Sequence, residues 1–264
     1  MEVSVCTNRA ILAPCGLKNI DYQVDTYIGC EHLCYYCYAL EDAETDWSKK
    51  IQIHQNIVGQ LSEELDTISP QTIYMGYQTD PYQPCEAEYH QTRKVLELLL
   101  KKGFSASILT KSDLVVHDID LLKAMNNAAV SVSVAFNDDA TRQLFEANTM
   151  ATAKRVAALR QLKDAGIRTG ALVCPVIPYI TDAIQLVDML APSTDEIWVY
   201  GLSINDRSGE NWLRFQKILK NQFPELVALI EQALFLKDHR YWAQLRDDLT
   251  ALKNDLQLNL NIHL

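Results

Sequence analysis

Short apolar runs alternate with amphipathic stretches along most of this chain, and that alternation constrains the fold more than any other feature. Periodicity predicts strands at residues 24–28, 72–76, 105–110, 130–135, 168–174 and 196–200, with helices at 86–102, 118–126, 150–165 and 182–190. Repeated strand-then-helix units of this kind satisfy their backbone as a parallel sheet with helices outside it, either doubly wound or curled into part of a barrel. Gly103 and Gly166 stand where two of the helices must stop. Beyond Gly209 the pattern turns helical (NWLRFQKILK, PELVALIEQAL, YWAQLRDDLTALKNDL) and closes on LQLNLNIHL, a short final strand. The expected organisation is an N-terminal extension at 1–21, an α/β core at 22–205 and a C-terminal helical extension at 206–264.

In either parallel arrangement the loops at the C-terminal ends of the strands surround one mouth, so those loops are where chemistry collects. They contain GCEHLCYYCYA after the first strand, YQTDPYQPCE after the second, then Lys111, Asn137, Cys174 with Pro175, and Gly201 to Asn205. The first of these loops is the most specific. It carries Cys30, Cys34 and Cys37, three of the seven cysteines of the chain within eight positions. A chain of this size needs no disulfide staples, and three thiols so crowded on a loop fit ligation better than packing. Three thiolates match three irons of a cubane cluster and leave the fourth iron open to a substrate's amine and carboxylate. Tyr36 and Tyr38, interleaved with the thiols, are expected to exclude water and to offer a wall for adenine. A zinc site is the competing reading, with His32, Cys15 or Cys6 completing four ligands, although no second CxxC-type knuckle is present.

Charge narrows the partners. There are 24 Lys and Arg against 34 Asp and Glu, a net charge of −10 that repels a phosphate backbone at long range. A basic run of Arg142, Lys154, Arg155, Arg160, Lys163 and Arg168 is either a local nucleic-acid groove or a solvated helix face. The N-terminus has neither the basic region nor the apolar stretch of a secretory signal, and no window reaches about 18 uninterrupted apolar residues. The expectation is a cytoplasmic protein without a membrane partner.

The cysteine loop has the spacing of the radical S-adenosylmethionine (SAM) superfamily, and its surroundings resemble the spore photoproduct lyase-like branch. The resemblance runs over residues 22–205 through YQTDPYQPCE, ILTKSD, VSVSVAFN, FEANTMATAKRVAALRQLKDAGIRTG and LVCPVIP, in order. It implies a partial (β/α)6 TIM-type barrel, a 4Fe-4S cluster on Cys30, Cys34 and Cys37, and SAM as the second cofactor. It further implies that Lys111 meets the SAM carboxylate, that Ser133 contacts SAM, and that Thr79 and Asp80 lie at the mouth where they could bond its ribose or amine. Arg155 also matches a family position, as does Glu146; an ion pair on a helix face is the plainer reading of those two. The lyase's hydrogen-donating cysteine is replaced here by Tyr77, so Tyr77, Cys174 and Cys85 stand as alternative hydrogen-atom donors. The activity implied is reductive cleavage of SAM and hydrogen abstraction from a substrate, with a flavodoxin- or ferredoxin-type electron donor. Nucleic acid is one substrate class, a small molecule or peptide another, and a non-catalytic zinc or cluster module is the reading outside enzymes.

Overall fold

Six parallel strands carry the fold, and each grows out of one of the six apolar runs. The computed structural model describes residues 1–7 and 9–264. Its strands are β1 (Glu2–Cys6), β2 (Leu12–Pro14), β3 (Tyr22–Val24), β4 (Tyr27–Ile28), β5 (Lys50–His54), β6 (Thr72–Met75), β7 (Ser105–Thr110), β8 (Ala129–Ser133), β9 (Arg168–Val176), β10 (Glu196–Gly201) and β11 (Leu260–His263). The helices are α1 (Ile57–Leu65), α2 (Glu86–Tyr89), α3 (Gln91–Lys101), α4 (Ile119–Ala124), α5 (Asp139–Phe145), α6 (Thr152–Asp164), α7 (Ala183–Leu190), α8 (Glu210–Gln222), α9 (Val227–Phe235) and α10 (Arg240–Leu256). The main sheet runs β11-β10-β9-β8-β7-β6-β3-β2, and β3 to β11 are parallel neighbours throughout. This is the α/β partial barrel that the alternation and the resemblance imply.

Strand periodicity explains which side of the sheet is core. Ile73, Ile108, Val130, Val132, Val173 and Val199 alternate onto the outer face, where the helices bury them almost completely. Helices α3 and α6 answer with Leu96, Leu99, Leu159 and Leu162, also fully buried, each contributing on the order of 1.5–3 kcal/mol. The alternate residues of each strand, among them Tyr74, Ser131, Leu172, Cys174 and Tyr200, point to the inner face and are only half-buried. Helices α3 and α6 stop where expected, at Gly103 and Gly166, both at positive φ.

Three expectations are corrected. The run at 24–28 is two strands, because after β3 the chain leaves the barrel sheet and β4 joins β5 and β1 in a separate three-stranded sheet. The helix expected at 86–102 breaks at His90, whose φ is +51°. Glu86 makes the break: its buried carboxylate accepts the backbone N–H groups of Thr92 and Arg93, so the first residue of α2 caps the start of α3. Finally, the first 21 residues and the C-terminal tail are integrated into the sheets: β1 and β2 pair with β5 and β3, and β11 pairs with β10 as the sheet's other edge. Among the described residues no helix is long and apolar enough to cross a membrane.

Gly76 shows how closely adjoining strands approach at the mouth. It sits at φ +104° just after β6, and a Cβ there would lie 2.2 Å from the carbonyl oxygen of Leu109 on β7. Because both the conformation and the space exclude a side chain, Gly76→Ala is expected to lower stability by more than about 1 kcal/mol in urea unfolding, and an unchanged midpoint would contradict this packing.

Candidate active site

The cysteine loop leaves β4 at Gly29 and ends in a short helical turn at Tyr38–Leu40, held from two sides. On one side the Thr79 hydroxyl donates to the Gly29 carbonyl at 2.6 Å, the Gln83 amide donates to the same oxygen at 3.1 Å, and Gln83 accepts the Glu31 N–H at 2.8 Å. The Glu31 carboxylate in turn accepts the Cys85 N–H at 2.6 Å. On the other side Tyr35 N–H donates to the Phe145 carbonyl, Asn148 N–H to the His32 carbonyl, and the Asn148 amide to the Glu31 carbonyl. Helix α8 backs the loop, with Trp212 and Phe215 sharing a buried cluster with Cys34 and Tyr36. Glu41 reaches the first turn of α8, accepting the Asn211 N–H at 3.2 Å. The C-terminal tail is therefore a wall of the site.

Cys34 is buried and Cys30 and Cys37 are half-buried, all as free thiols. Burial pushes the three thiols up from their ordinary range, with Asp80 and Cys37 adding to the rise at Cys30 and Glu146, Cys37 and Cys30 adding to it at Cys34. Among the described residues no three His, Cys, Asp or Glu side chains converge on a point that one ion could occupy.

Facing the loop is a buried network of charge. Lys111, at the end of β7, places Nζ 2.6 Å from Ser133 Oγ on β8 and 3.2 Å from Glu146 Oε1. Arg155 on α6 donates to the Ser133 carbonyl at 2.9 Å and to Glu146 Oε2 at 2.5 Å. The Tyr36 phenol donates to Glu146 as well, and Lys111 lies 5.7 Å above the Tyr36 ring. Burial opposes a charge on Glu146, but Arg155, Lys111 and the Tyr36 phenol outweigh it and hold the carboxyl well below its usual range. Glu146 and its neighbours likewise overcome the burial of Lys111 and keep its ammonium charged. Two cations therefore surround one carboxylate, and the wall beside the thiols carries an excess positive charge suited to an anion.

Several site expectations change once the partners are seen. Asp80 accepts from Tyr82 N–H at 2.8 Å, the Thr110 hydroxyl at 2.6 Å and Lys111 N–H at 2.7 Å, and sits 3.1 Å from His32 Nε2. Burial works against its charge, but His32 and these donors hold the Asp80 carboxyl down. Asp80 and Thr79 thus lock the second loop to the first. Arg155 is 1% exposed and acts through Glu146 instead of reaching into the mouth. Tyr36 is buried against Phe136 and bonded to Glu146, whereas Tyr38 is 52% exposed and donates to the Tyr77 carbonyl.

The three hydrogen-donor alternatives separate clearly. Cys85 is buried in a small cluster with Tyr27 and Ile51 beside the three-stranded sheet, its N–H bonded to Glu31 of the cysteine loop. The Tyr77 phenol oxygen lies against Gly16 of the N-terminal segment, 2.7 Å from where a Cβ would be. Cys174 stands on the inner face of β9, its carbonyl accepting the Ser133 hydroxyl at 3.0 Å, and burial raises its thiol while Lys111 lowers it. Of the three, only Cys174 adjoins the Lys111 network.

The basic run divides between the interior and the surface, with Lys154, Arg160 and Arg168 exposed. Arg142 is buried and donates to the carbonyls of Glu146 and Thr149, Arg155 is buried, Arg160 meets Ser193, and Lys163 bonds the Thr194 carbonyl and pairs with Asp195. Glu146, Glu31 and Gln83 are the functional residues that sequence reasoning undervalued. For the first, the signals were a matched family position and an arginine nine positions later.

A family model described as the radical SAM superfamily matches residues 24–190. An uncharacterized protein of Methanocaldococcus jannaschii is 27% identical over 241 residues, spanning 90% of this chain and 90% of its own length. An uncharacterized protein of Mycobacterium tuberculosis is 30% identical over 224 residues, 78% of this chain and 65% of its own length. Among solved structures, a variant of spore photoproduct lyase superposes with a TM-score of 0.69 at 15% identity, covering 98% of this chain and 80% of that one. Streptococcus suis SuiB bound to SAM gives 0.54 at 11% identity, covering 98% and 49%. At these identities the likeness establishes the partial barrel fold.

Proposed function

The chain belongs to the radical SAM superfamily of enzymes, whose cofactors are a 4Fe-4S cluster and SAM, and from that premise we propose that Cys30, Cys34 and Cys37 bind the cluster and that Lys111 and Ser133 receive SAM. The observation that carries the proposal is the buried wall of Lys111, Ser133, Glu146 and Arg155 set beside three thiols on one loop. Thiols raised by burial become good ligands once a metal displaces their protons, and the excess positive charge opposite them offsets an anionic guest. Held by Cys30, Cys34 and Cys37, a reduced cluster would supply the electron for reductive cleavage of SAM and so for hydrogen abstraction from a substrate.

The chain's own residues supply placement and charge. Ser133 and Glu146 fix the Lys111 ammonium, leaving it to pair with the methionine carboxylate, while Arg155 keeps Glu146 ionised beneath it. Tyr38 provides an exposed ring beside the thiols for adenine. The Cys174 thiol, on the same inner face as Ser133, is the hydrogen-atom donor that the geometry favours over Tyr77 and Cys85. A flavodoxin- or ferredoxin-type protein is the proposed electron source.

For the substrate, the branch resemblance favours nucleic acid, but Arg142 and Arg155 of the basic run are buried within the fold, and the net charge of −10 opposes a phosphate backbone. That observation favours the small-molecule or peptide reading. The proposal is tested by anaerobic cluster reconstitution followed by a 5′-deoxyadenosine assay; formation of the nucleoside with dithionite is expected, and its absence in protein holding four irons would overturn the reading. Lys111→Met is expected to weaken SAM binding by roughly ten- to hundredfold in equilibrium dialysis, the value of one charge-assisted bond in a buried site, and unchanged affinity would remove Lys111 from the site.

A further inference from the structure

The inner face of β10 carries its two largest rings where no core needs them. Trp198 and Tyr200 alternate with Ile197 and Val199, which are buried on the helix side, so the two rings share the barrel side of the strand. Among the described residues neither ring packs into any of the hydrophobic clusters of the molecule, and both remain half-buried. His263 on β11 pairs in register with Tyr200 and adds a third ring. The three planes are parallel to within 9°, with centroids 6.3 Å apart for Trp198 and Tyr200, 5.5 Å for Trp198 and His263, and 4.7 Å for Tyr200 and His263.

Large rings cost side-chain entropy to align, and a core normally repays it through burial. Here alignment is kept without a core, on a face lined by the Cys174 strand. Register places Trp198 beside Leu172 of β9, and Cys174 lies two residues further along the same inner face. Burial and then the nearby Cys174 thiol push the Tyr200 phenol up, as expected of a ring within electrostatic reach of that sulfur.

We propose that Trp198, Tyr200 and His263 form a subsite that stacks a planar, unsaturated ring of a small neutral substrate and presents that substrate to the Cys174 side of the mouth. The assignment rests on the small-molecule reading of the function and goes beyond it by naming the recognised chemistry. A charged polymer is disfavoured at this wall by the net charge of −10 and by the burial of Arg142 and Arg155 within the fold. Stacking on aligned aromatic rings tolerates many ring types, so recognition here is of planarity.

Equilibrium dialysis on the reconstituted, cluster-bearing protein tests the proposal with two pairs of probes that differ in ring planarity: uridine against 5,6-dihydrouridine, and benzamide against cyclohexanecarboxamide. The planar member of at least one pair is expected to bind at least fivefold more tightly, and Trp198→Ala and Tyr200→Ala are each expected to erase that preference. Equal or absent binding of both members of both pairs overturns the subsite, as does a preference that survives both substitutions. A single-stranded oligouridylate that bound far more tightly than uridine, with steep salt dependence, would overturn the small-molecule assignment. The wild-type 5′-deoxyadenosine assay reports the underlying enzymatic reading separately: nucleoside formed without ring preference defeats the subsite alone, whereas no nucleoside defeats the reading beneath it.

Discussion

Replacing any one of Cys30, Cys34 or Cys37 with alanine is expected to abolish both the iron-sulfur absorbance of the reconstituted protein and all 5′-deoxyadenosine formation. The three thiols share one loop whose path is fixed at both ends, by Thr79 and Gln83 on the Gly29 carbonyl and by Asn148 and Phe145 on residues 31–35. With one thiol removed, the loop cannot swing another cysteine into its place: Cys85 is packed in a different cluster and Cys174 sits on a sheet strand. Loss should therefore be complete instead of graded. A variant that kept four irons per chain and full turnover would show that the ligand set is wrong.

Glu146→Gln is expected to be the most destabilising single change in the mouth. The substitution leaves Arg155, 1% exposed, and Lys111 without their shared carboxylate, and breaking a buried pair in this way costs about 3–5 kcal/mol. For a domain of this size that corresponds to a fall in Tm of very roughly 6–20 °C. The pH dependence carries a sign. Because the folded-state value of Glu146 lies below the ordinary glutamate value of 4.5, the unfolded chain binds the proton more readily. The stabilisation is fully present above about 4.5 and is lost as pH falls through the depressed folded value. Wild-type stability should thus decline more steeply below about pH 4.5 than that of Glu146→Gln, measured by urea unfolding with the cluster absent. Parallel profiles would mean that Glu146 does not carry the charge assigned to it.

What could be read in the sequence was mostly local. Six apolar runs separated by amphipathic stretches specify the parallel sheet, because period and spacing depend only on neighbouring residues. Cys30, Cys34 and Cys37 were legible for the same reason. Lys111 and Ser133 were carried by resemblance, and the 2.6 Å contact between them places both on one wall. The misreadings share a cause, in that each depended on a partner distant in the chain. Asp80 looked like a free carboxylate at the mouth until His32, Thr110 and the Lys111 N–H closed around it. Arg142 read as part of a basic run because nothing local shows that the Thr149 carbonyl would bury it, and the Glu146–Arg155 pair read as a helix-face contact is instead buried. The helix at 86–102 had an unbroken apolar period, and its interruption at His90 follows from Glu86 turning back to cap α3. Trp198 and Tyr200 escaped notice because alternation alone makes them ordinary strand residues; only their absence from every core sets them apart.

The claim on which the rest depends is that one iron of the cluster has no protein ligand and takes SAM directly. Electron–nuclear double resonance on the reduced protein, with SAM labelled by oxygen-17 in its carboxylate and nitrogen-15 in its amine, measures this. Strong hyperfine coupling to both labels is predicted for the wild-type chain. A spectrum unchanged by either label, or one showing coupling to a histidine nitrogen of the protein at that iron, would contradict the account.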